Sequence, residues 1–340
     1  MIKAVSVTNL AGETLRCILD NPDASGFSIA QITGITPGKA TVNIQEIATL
    51  DGGMYSNSRM TTRNIVIDYI FHDYWGGRWV RPSSGGPAVY IENRRTIEEA
   101  RQEFYRYFIL KKPVTIQIET DLRTYEIDGI VESNEPNIFS DMEGAQVSIL
   151  CPVPYFRWVN EDPFGSSTLS DTVFYPIGLF SFPFSDPVET REIMFGDATG
   201  QSEQTSLIYY DGDVDTGVVF RAKVLNQYDW NYITFDYYGT GNNPSLQTRM
   251  QFNNRAYRAD NDGVGLLPGD ELVISTLKGN KYAVIYRGSE VIDAFPYLRV
   301  LDDWITFSKG TNHLTVMAGN AQSEPFGSIT VEYPLLFSGV

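Results

Sequence analysis

Apolar residues recur at every second position through much of the chain. Ile65, Ile67, Tyr69 and Phe71 form one such run, followed by Val114, Ile116 and Ile118 and by Tyr125 and Ile127. The second half repeats the pattern at Val218, Phe220, Ala222 and Val224, at Leu272 and Ile274, at Tyr282, Val284 and Tyr286, and at Leu314 and Val316. A period of two predicts strands with one face on a core. Turn-forming clusters such as Asp260-Asn261-Asp262-Gly263 and Lys278-Gly279-Asn280-Lys281 separate the runs at short spacing, which favours β-sandwiches over βαβ units. One segment has a different period. Thr96 to Glu99 has the form of a capping box, and Ile97, Ala100, Phe104, Tyr107 and Phe108 follow at helical spacing before Lys111-Lys112-Pro113. The spacing predicts a helix over about 96–111 that covers an open part of the first sheet.

A length of 340 residues suggests two domains at about 150 residues each. The fold class expected is mainly β, with two β-sandwich domains. The first domain runs over 1–156, and a Pro- and Phe-rich connector over 157–189 carries Pro163, Pro176, Pro183 and Pro187, a density that no central strand tolerates. The second domain then spans 190–340. Residues 72–95, rich in Gly, Trp and Arg, read as a long exposed loop. No apolar run reaches the roughly 18 residues of a membrane-spanning helix, so a soluble protein made in the cytosol, with no membrane partner, is expected.

Charge narrows the partners. Lys and Arg number 26 against 42 Asp and Glu, a formal net charge of −16. Such a surface repels phosphate, so stable nucleic-acid binding is not expected. The two cysteines, Cys17 and Cys151, sit on alternating apolar runs and read as buried thiols. His72 and His313 have no second ligand at metal spacing, and neither a nucleophile elbow nor a phosphate loop is present. Asp211 to Gly217 fails the EF-hand spacing, having Thr216 where the loop glycine belongs and Ala222 at the place of the closing glutamate; it reads as a turn. The carboxylates are too numerous for a glycosidase pair to be singled out. No enzyme chemistry, cofactor or metal is therefore expected. The aromatic run from Trp230 to Tyr238 leaves a second reading open: Trp230, Tyr232, Tyr237 and Tyr238, beside Asn and Asp acceptors, as a sugar-stacking platform of a carbohydrate-binding protein.

An ordered set of short motifs resembles one family. In the first half these are Phe27 to Ile35, Asp51-Gly52, Arg59, Thr62-Arg63-Asn64-Ile65, the helix at 96–111 and the closing Cys151-Pro152-Val153-Pro154-Tyr155-Phe156. In the second half they are Tyr210 to Gly217, Gly269 to Thr276 with Lys278 to Lys281, Gly310-Thr311-Asn312 and the ending from Ile329 to Val340. In this order they resemble the distal tail proteins of long-tailed bacteriophages, the ring between tail tube and baseplate. The resemblance implies a tail-tube-like first sandwich with one helix and an outward, galectin-like second sandwich. It also implies a homohexameric ring at the virion tail tip, joined to tail tube protein and to the tail hub or tip protein, carrying receptor-binding proteins, with DNA passing its lumen. For the subunit contacts two stretches are expected. Val42 and Ile44 lie where alternation shifts, as at a bulge or a strand leaving its sheet, and lead towards Arg59 and Arg63. Trp75, Arg78, Trp79 and Arg81 are of the types enriched at interface hot spots.

Overall fold

The structure is a computed structural model that describes residues 1–19, 21, 25–46, 51–80, 89–138, 142–159, 168–174, 180–182, 193–195, 203–225, 231–241, 245–318 and 327–340; for 74–80, 89–93, 174, 180–182 and 193–195 it describes the backbone. The chain divides into two compact units, Met1–Ser167 with Phe337–Val340, and Thr168–Leu336.

The first unit is built on one large antiparallel sheet. Its strands are β1 (Ile2–Asn9), β2 (Thr14–Ile18), β3 (Phe27–Thr33), β6 (Arg63–Phe71), β9 (Pro113–Thr120), β10 (Thr124–Asn137) and β11 (Gly144–Cys151), in the order β2-β1-β9-β10-β11-β6-β3. The long β10 folds this sheet into a sandwich. Its first half, Thr124 to Ile130, pairs with β9, and its second half, Ile130 to Asn137, pairs with β11 across a register shift at Val131 to Ser133. Inward residues of both halves then meet in one core: Val5, Val7, Ile116 and Ile118 from one layer, Ile65, Ile67, Val147 and Ile149 from the other. The alternating runs become strands because the period of two places each apolar set on that inner face.

Helix α1 (Ile97–Tyr107) closes the open side. The capping box is present, with the Thr96 hydroxyl accepting from Glu99 N and the Glu99 carboxylate accepting from Thr96 N. Ala100 and Phe104 are buried, and Phe104 packs on Phe27, Tyr69, Phe71 and Phe108 with ring centroids 4.7–5.6 Å apart. The helix is shorter than its sequence suggests. Phe108 leaves helical geometry, and beyond it Lys111 N donates to Val131 O while Val131 N donates to Lys112 O. Bonds to β10 thus replace the last helical turn.

Two hairpins stand outside that sheet: β4 (Ala40–Glu46) with β5 (Gly53–Met60), and β7 (Tyr74–Val80) with β8 (Val89–Arg94). The second corrects the expected loop at 72–95. Val, Tyr, Trp and Ile favour extended backbone there, while Gly76-Gly77 and a register shift between Tyr74 and Gly77 hide the alternation. Within the stretch expected as a connector lies β12 (Phe156–Val159), which pairs with the N-terminal part of β10.

The second unit is a two-sheet sandwich. One sheet contains β13 (Thr168–Phe174), β18 (Val219–Val224), β21 (Glu271–Ser275), β22 (Tyr282–Arg287), β23 (Glu290–Asp293) and β27 (Gly327–Pro334), in the order β13-β27-β18-β21-β22-β23. The other contains β16 (Glu203–Tyr210), β19 (Tyr232–Thr240), β20 (Thr248–Asn253), β24 (Leu298–Leu301) and β26 (Gly310–Ala318), in the order β16-β26-β19-β20-β24. The pairs β14 (Phe180–Phe182) with β15 (Ile193–Phe195) and β17 (Thr216–Gly217) with β25 (Thr306–Phe307) are separate. Aromatic contacts join the two large sheets, with Phe220 4.4 Å from Phe235 between ring centroids and Tyr210 6.0 Å from Tyr333. A short helix α2 (Asn254–Asp260), capped by the Asn253 side chain, was not anticipated by periodicity. The last strand, β28 (Leu336–Phe337), pairs with β12. The architecture is mainly β and sandwich-type, as expected. Among the described residues no helix is long and apolar enough to cross a membrane.

Candidate assembly interface

The hairpin β4–β5 is exposed at every position except Met60, which is half-buried. Its register gives it two chemically different faces. Directly opposed residues share a face, and the pairs Ala40 with Met60, Val42 with Ser58 and Ile44 with Tyr55 make one of them, with Glu46 and Gly53 at its end. The pairs Thr41 with Arg59, Asn43 with Asn57 and Gln45 with Met54 make the other. The register of the hairpin shifts between Asn43 and Ile44, but the extra residue is Ser56 on β5; β4 itself is regular from Ala40 to Glu46, so the bulge is not on the strand whose pattern suggested one. Without that residue Tyr55 falls on the polar face; with it, Val42, Ile44 and Tyr55 align. They are 52%, 61% and 61% exposed. A two-stranded ribbon is marginally stable in water by itself, which makes this exposed row of aliphatic and aromatic side chains the candidate interface of the first unit.

Both hairpins leave the sheet through necks closed by a buried arginine. Arg63, the first residue of β6, is 4% exposed. Its Nη1 donates to Gly34 O at 2.5 Å and Thr36 O at 2.7 Å, Nε to Pro154 O at 2.9 Å and Nη2 to Ser338 O at 2.5 Å. The guanidinium carbon lies 4.8 Å from the Phe156 ring centroid, and burial lowers the Arg63 pKa. Thr61 N and Oγ1 both donate to Lys39 O on the same neck. Arg95, just past β8, does the same for the second hairpin. Arg95 N donates to Asp73 O at 2.9 Å and Nη2 to Gly26 O at 2.8 Å, its Nη1 pairs with Glu103, and its guanidinium lies 4.2 Å from the Phe27 ring centroid. His72 belongs to this neck too, with Nε2 2.8 Å from Ser28 Oγ. Sequence reasoning missed Arg95; its one signal is position, between a strand end and the helix N-cap.

The expected interface residues are therefore sorted. Val42, Ile44 and Arg59 lie on the open hairpin, with Val42 and Ile44 on its apolar face and Arg59 on its polar face. Arg63 is corrected: it lies in the interior, bonded to four carbonyls of its own chain, and presents no surface. Trp75, Arg78 and Trp79 lie on β7, with Arg78 opposite Ile91 and Trp79 opposite Tyr90; Arg81 lies outside the described residues.

Among the described residues of the expected sugar platform, Tyr237 is taken up by the core. Tyr237 is 4% exposed, its hydroxyl donates to Asn312 Oδ1 at 2.8 Å, and burial pushes its pKa up to about 12. Tyr238 is half-buried beside a bulge between Tyr237 and Gly239, and Tyr232 is 41% exposed at the far end of β19. Asp236, an expected sugar acceptor, is fully buried and binds Arg249 through two bonds of 2.6 Å. Trp230 lies outside the described residues.

Other candidate chemistry resolves into structure. Cys17 and Cys151 are buried free thiols, and burial pushes both pKa values up to about 11. The acidic segment bends at Asp213-Val214 and ends in β17: Asp213 N and Val214 N donate to Leu336 O, and the Tyr210 hydroxyl donates to Val214 O at 2.7 Å. Among the described residues no cluster of three or more His, Cys, Asp or Glu is arranged to hold a metal ion.

No protein-family model and no curated protein matches the chain in sequence. Solved structures do match in fold. The SPP1 Dit protein, described as a paradigm of the hub adsorption apparatus in phages infecting Gram-positive bacteria, is 10% identical. Its match covers 98% of this chain and 99% of that one, with a TM-score of 0.58. A chain of the phage P2 baseplate in its activated conformation with Ca is also 10% identical and covered over 98% of both chains, with a TM-score of 0.45. The likeness to the SPP1 protein is one of fold, and it runs through both units.

Proposed function

We propose that this chain is a structural subunit of a bacteriophage tail, a hub ring at the virion tail tip, and not an enzyme. Six copies close the ring through their first units, with the apolar face of β4–β5 laid on the neighbouring copy. A head-to-tail contact of this kind generates a closed ring when its rotation closes. The ring stacks between tail tube protein and the tail hub or tip protein, and the galectin-like second units point outward and carry receptor-binding proteins. Synthesis is in the host cytoplasm. The acidic charge fits a lumen that lets DNA pass without holding it.

The observation that carries this reading is the end-to-end likeness of fold to a phage hub protein; the open apolar face of the hairpin supports it independently. The test is the mass of the purified protein in sedimentation, wild type against Val42→Lys/Ile44→Lys. The wild type sediments as a closed oligomer and the double variant as a monomer, still folded because neither side chain is buried in its own chain, with an unfolding midpoint that no longer depends on protein concentration. A double variant that assembles like the wild type removes the hairpin from the interface.

A further inference from the structure

The neck of the first hairpin is held by residues from the opposite side of the second unit in sequence. Gly34, Ile35 and Thr36 lead into β4, and the carbonyl oxygens of all three have partners. Two are bound by Arg63, and the third, Ile35 O, accepts from Val340 N at 3.0 Å. The same arginine donates to Ser338 O, 275 positions away. Gly339 lies flat on this neck: a Cβ there is 2.7 Å from both Pro37 Cδ and Pro37 N and 3.0 Å from Thr36 C, so no side chain fits. Gly38 completes the packing, since a Cβ on it meets Met60 Cε at 3.1 Å and Arg63 Nη2 at 3.5 Å. Phe337 anchors the segment, its ring edge-on to Tyr125 at 5.3 Å and under the Arg123 guanidinium at 5.2 Å.

We propose that Phe337–Val340 is a latch that sets the direction of the β4–β5 hairpin. The residues made before the second unit supply the arginine and the neck, and those made after it supply the remaining donor, an acceptor and the backing surface. Before the latch docks, Ile35 O and one Arg63 donor lack their partners and the Pro37–Gly38 turn lacks its support. The hairpin then hangs from a loose neck. An arm ordered only at the moment of contact associates more weakly than one held in its bound direction, because ordering it opposes binding. The latch thereby makes the interface competent only in chains that have been completed past the second unit. This rests on the reading of β4–β5 as an assembly arm, although the latch itself is a property of the single chain.

Amide hydrogen exchange on the full chain tests it, using Gly339→Val, which has no room for its side chain, and a second variant lacking Gly339 and Val340 that retains the Phe337 anchor and an acceptor for Arg63, the carboxylate that Ser338 then carries. Expected is at least a tenfold faster exchange over residues 34–46 in both, with β9, β10 and the second unit unchanged. Unchanged exchange at 34–46 while 337–338 loosen overturns the latch. So does equal loosening of β9 and β10 with the neck, which makes the segment an ordinary part of the core. Sedimentation of the same variants separates the two claims. Variants that loosen the neck and still assemble at wild-type concentrations overturn the coupling and leave the ring standing. A wild type that never assembles refutes the ring, while the exchange result still decides the latch.

Discussion

Replacing Arg63 tests whether the neck of the first hairpin is held by one side chain. Arg63→Ala removes four bonds from a cation to main-chain carbonyls, at 2.5 to 2.9 Å. At about 1.5–3 kcal/mol for each bond to a charged group the gross loss is about 6–12 kcal/mol. Two effects offset it. The variant no longer keeps a cation out of water, which returns several kcal/mol, and a cavity lined by carbonyls admits water that satisfies part of them. The net expectation is a loss of about 3–5 kcal/mol, comparable to breaking a buried ion pair. In a unit of this size that lowers the melting temperature by about 6–20 °C. Urea unfolding followed by fluorescence in a background where Trp158, on β12 of the first unit, is the one tryptophan kept and the other four are Phe measures it, and Arg63→Met separates packing from hydrogen bonding because it retains an apolar stem over Phe156. Met is expected to recover less than half of the loss. A cost below about 1 kcal/mol for Ala, or a Met variant as stable as wild type, refutes the reasoning, since the four bonds then contribute nothing beyond shape.

Two further outcomes concern the second unit. Asp236→Ala leaves Arg249 without its bidentate partner, and because Arg249 reaches solvent the cost is at the lower end for a broken pair, about 3 kcal/mol, read as a fall in the urea midpoint. Tyr210 and Tyr237 are pushed up to about 12 by burial, against about 10 for the unfolded phenol. Their folded pKa values are raised, so the stability they confer is complete below pH 10 and declines as pH rises toward 12, by about 2–3 kcal/mol for each phenol. Unfolding midpoints measured from pH 8 to 11.5 fall accordingly and fall less in Tyr237→Phe; a flat profile contradicts the burial argument.

Legibility in the sequence followed the range of the interactions. Ile65 to Phe71 reads as a strand because one buried face imposes a local period of two. Thr96 and Glu99 mark the helix start because both partners of the capping box lie within one turn. The helix end at Tyr107 was not readable, since what stops it is bonding between Lys111, Lys112 and Val131, on another strand. Tyr237 goes into the core with Ile233 and Phe235 on the period of two, which the sequence does show, whereas Tyr238 is the extra residue of a bulge set by pairing with β26, which it does not. The bulge in the β4–β5 hairpin was not legible: its extra residue is Ser56 on β5, opposite a regular stretch of β4, and only the pairing of the two strands shows that it aligns Tyr55 with Val42 and Ile44. Arg63 carries the largest difference between the two readings. A sequence shows an arginine among polar neighbours; only the fold brings Gly34, Thr36, Pro154 and Ser338 around it.

Single-particle imaging of the purified protein shows whether the chain builds a closed ring. Six-fold symmetric rings are expected, with the β4–β5 hairpin of each copy in the contact with its neighbour. Monomers at every concentration, alone and in the presence of tail tube protein, contradict the ring.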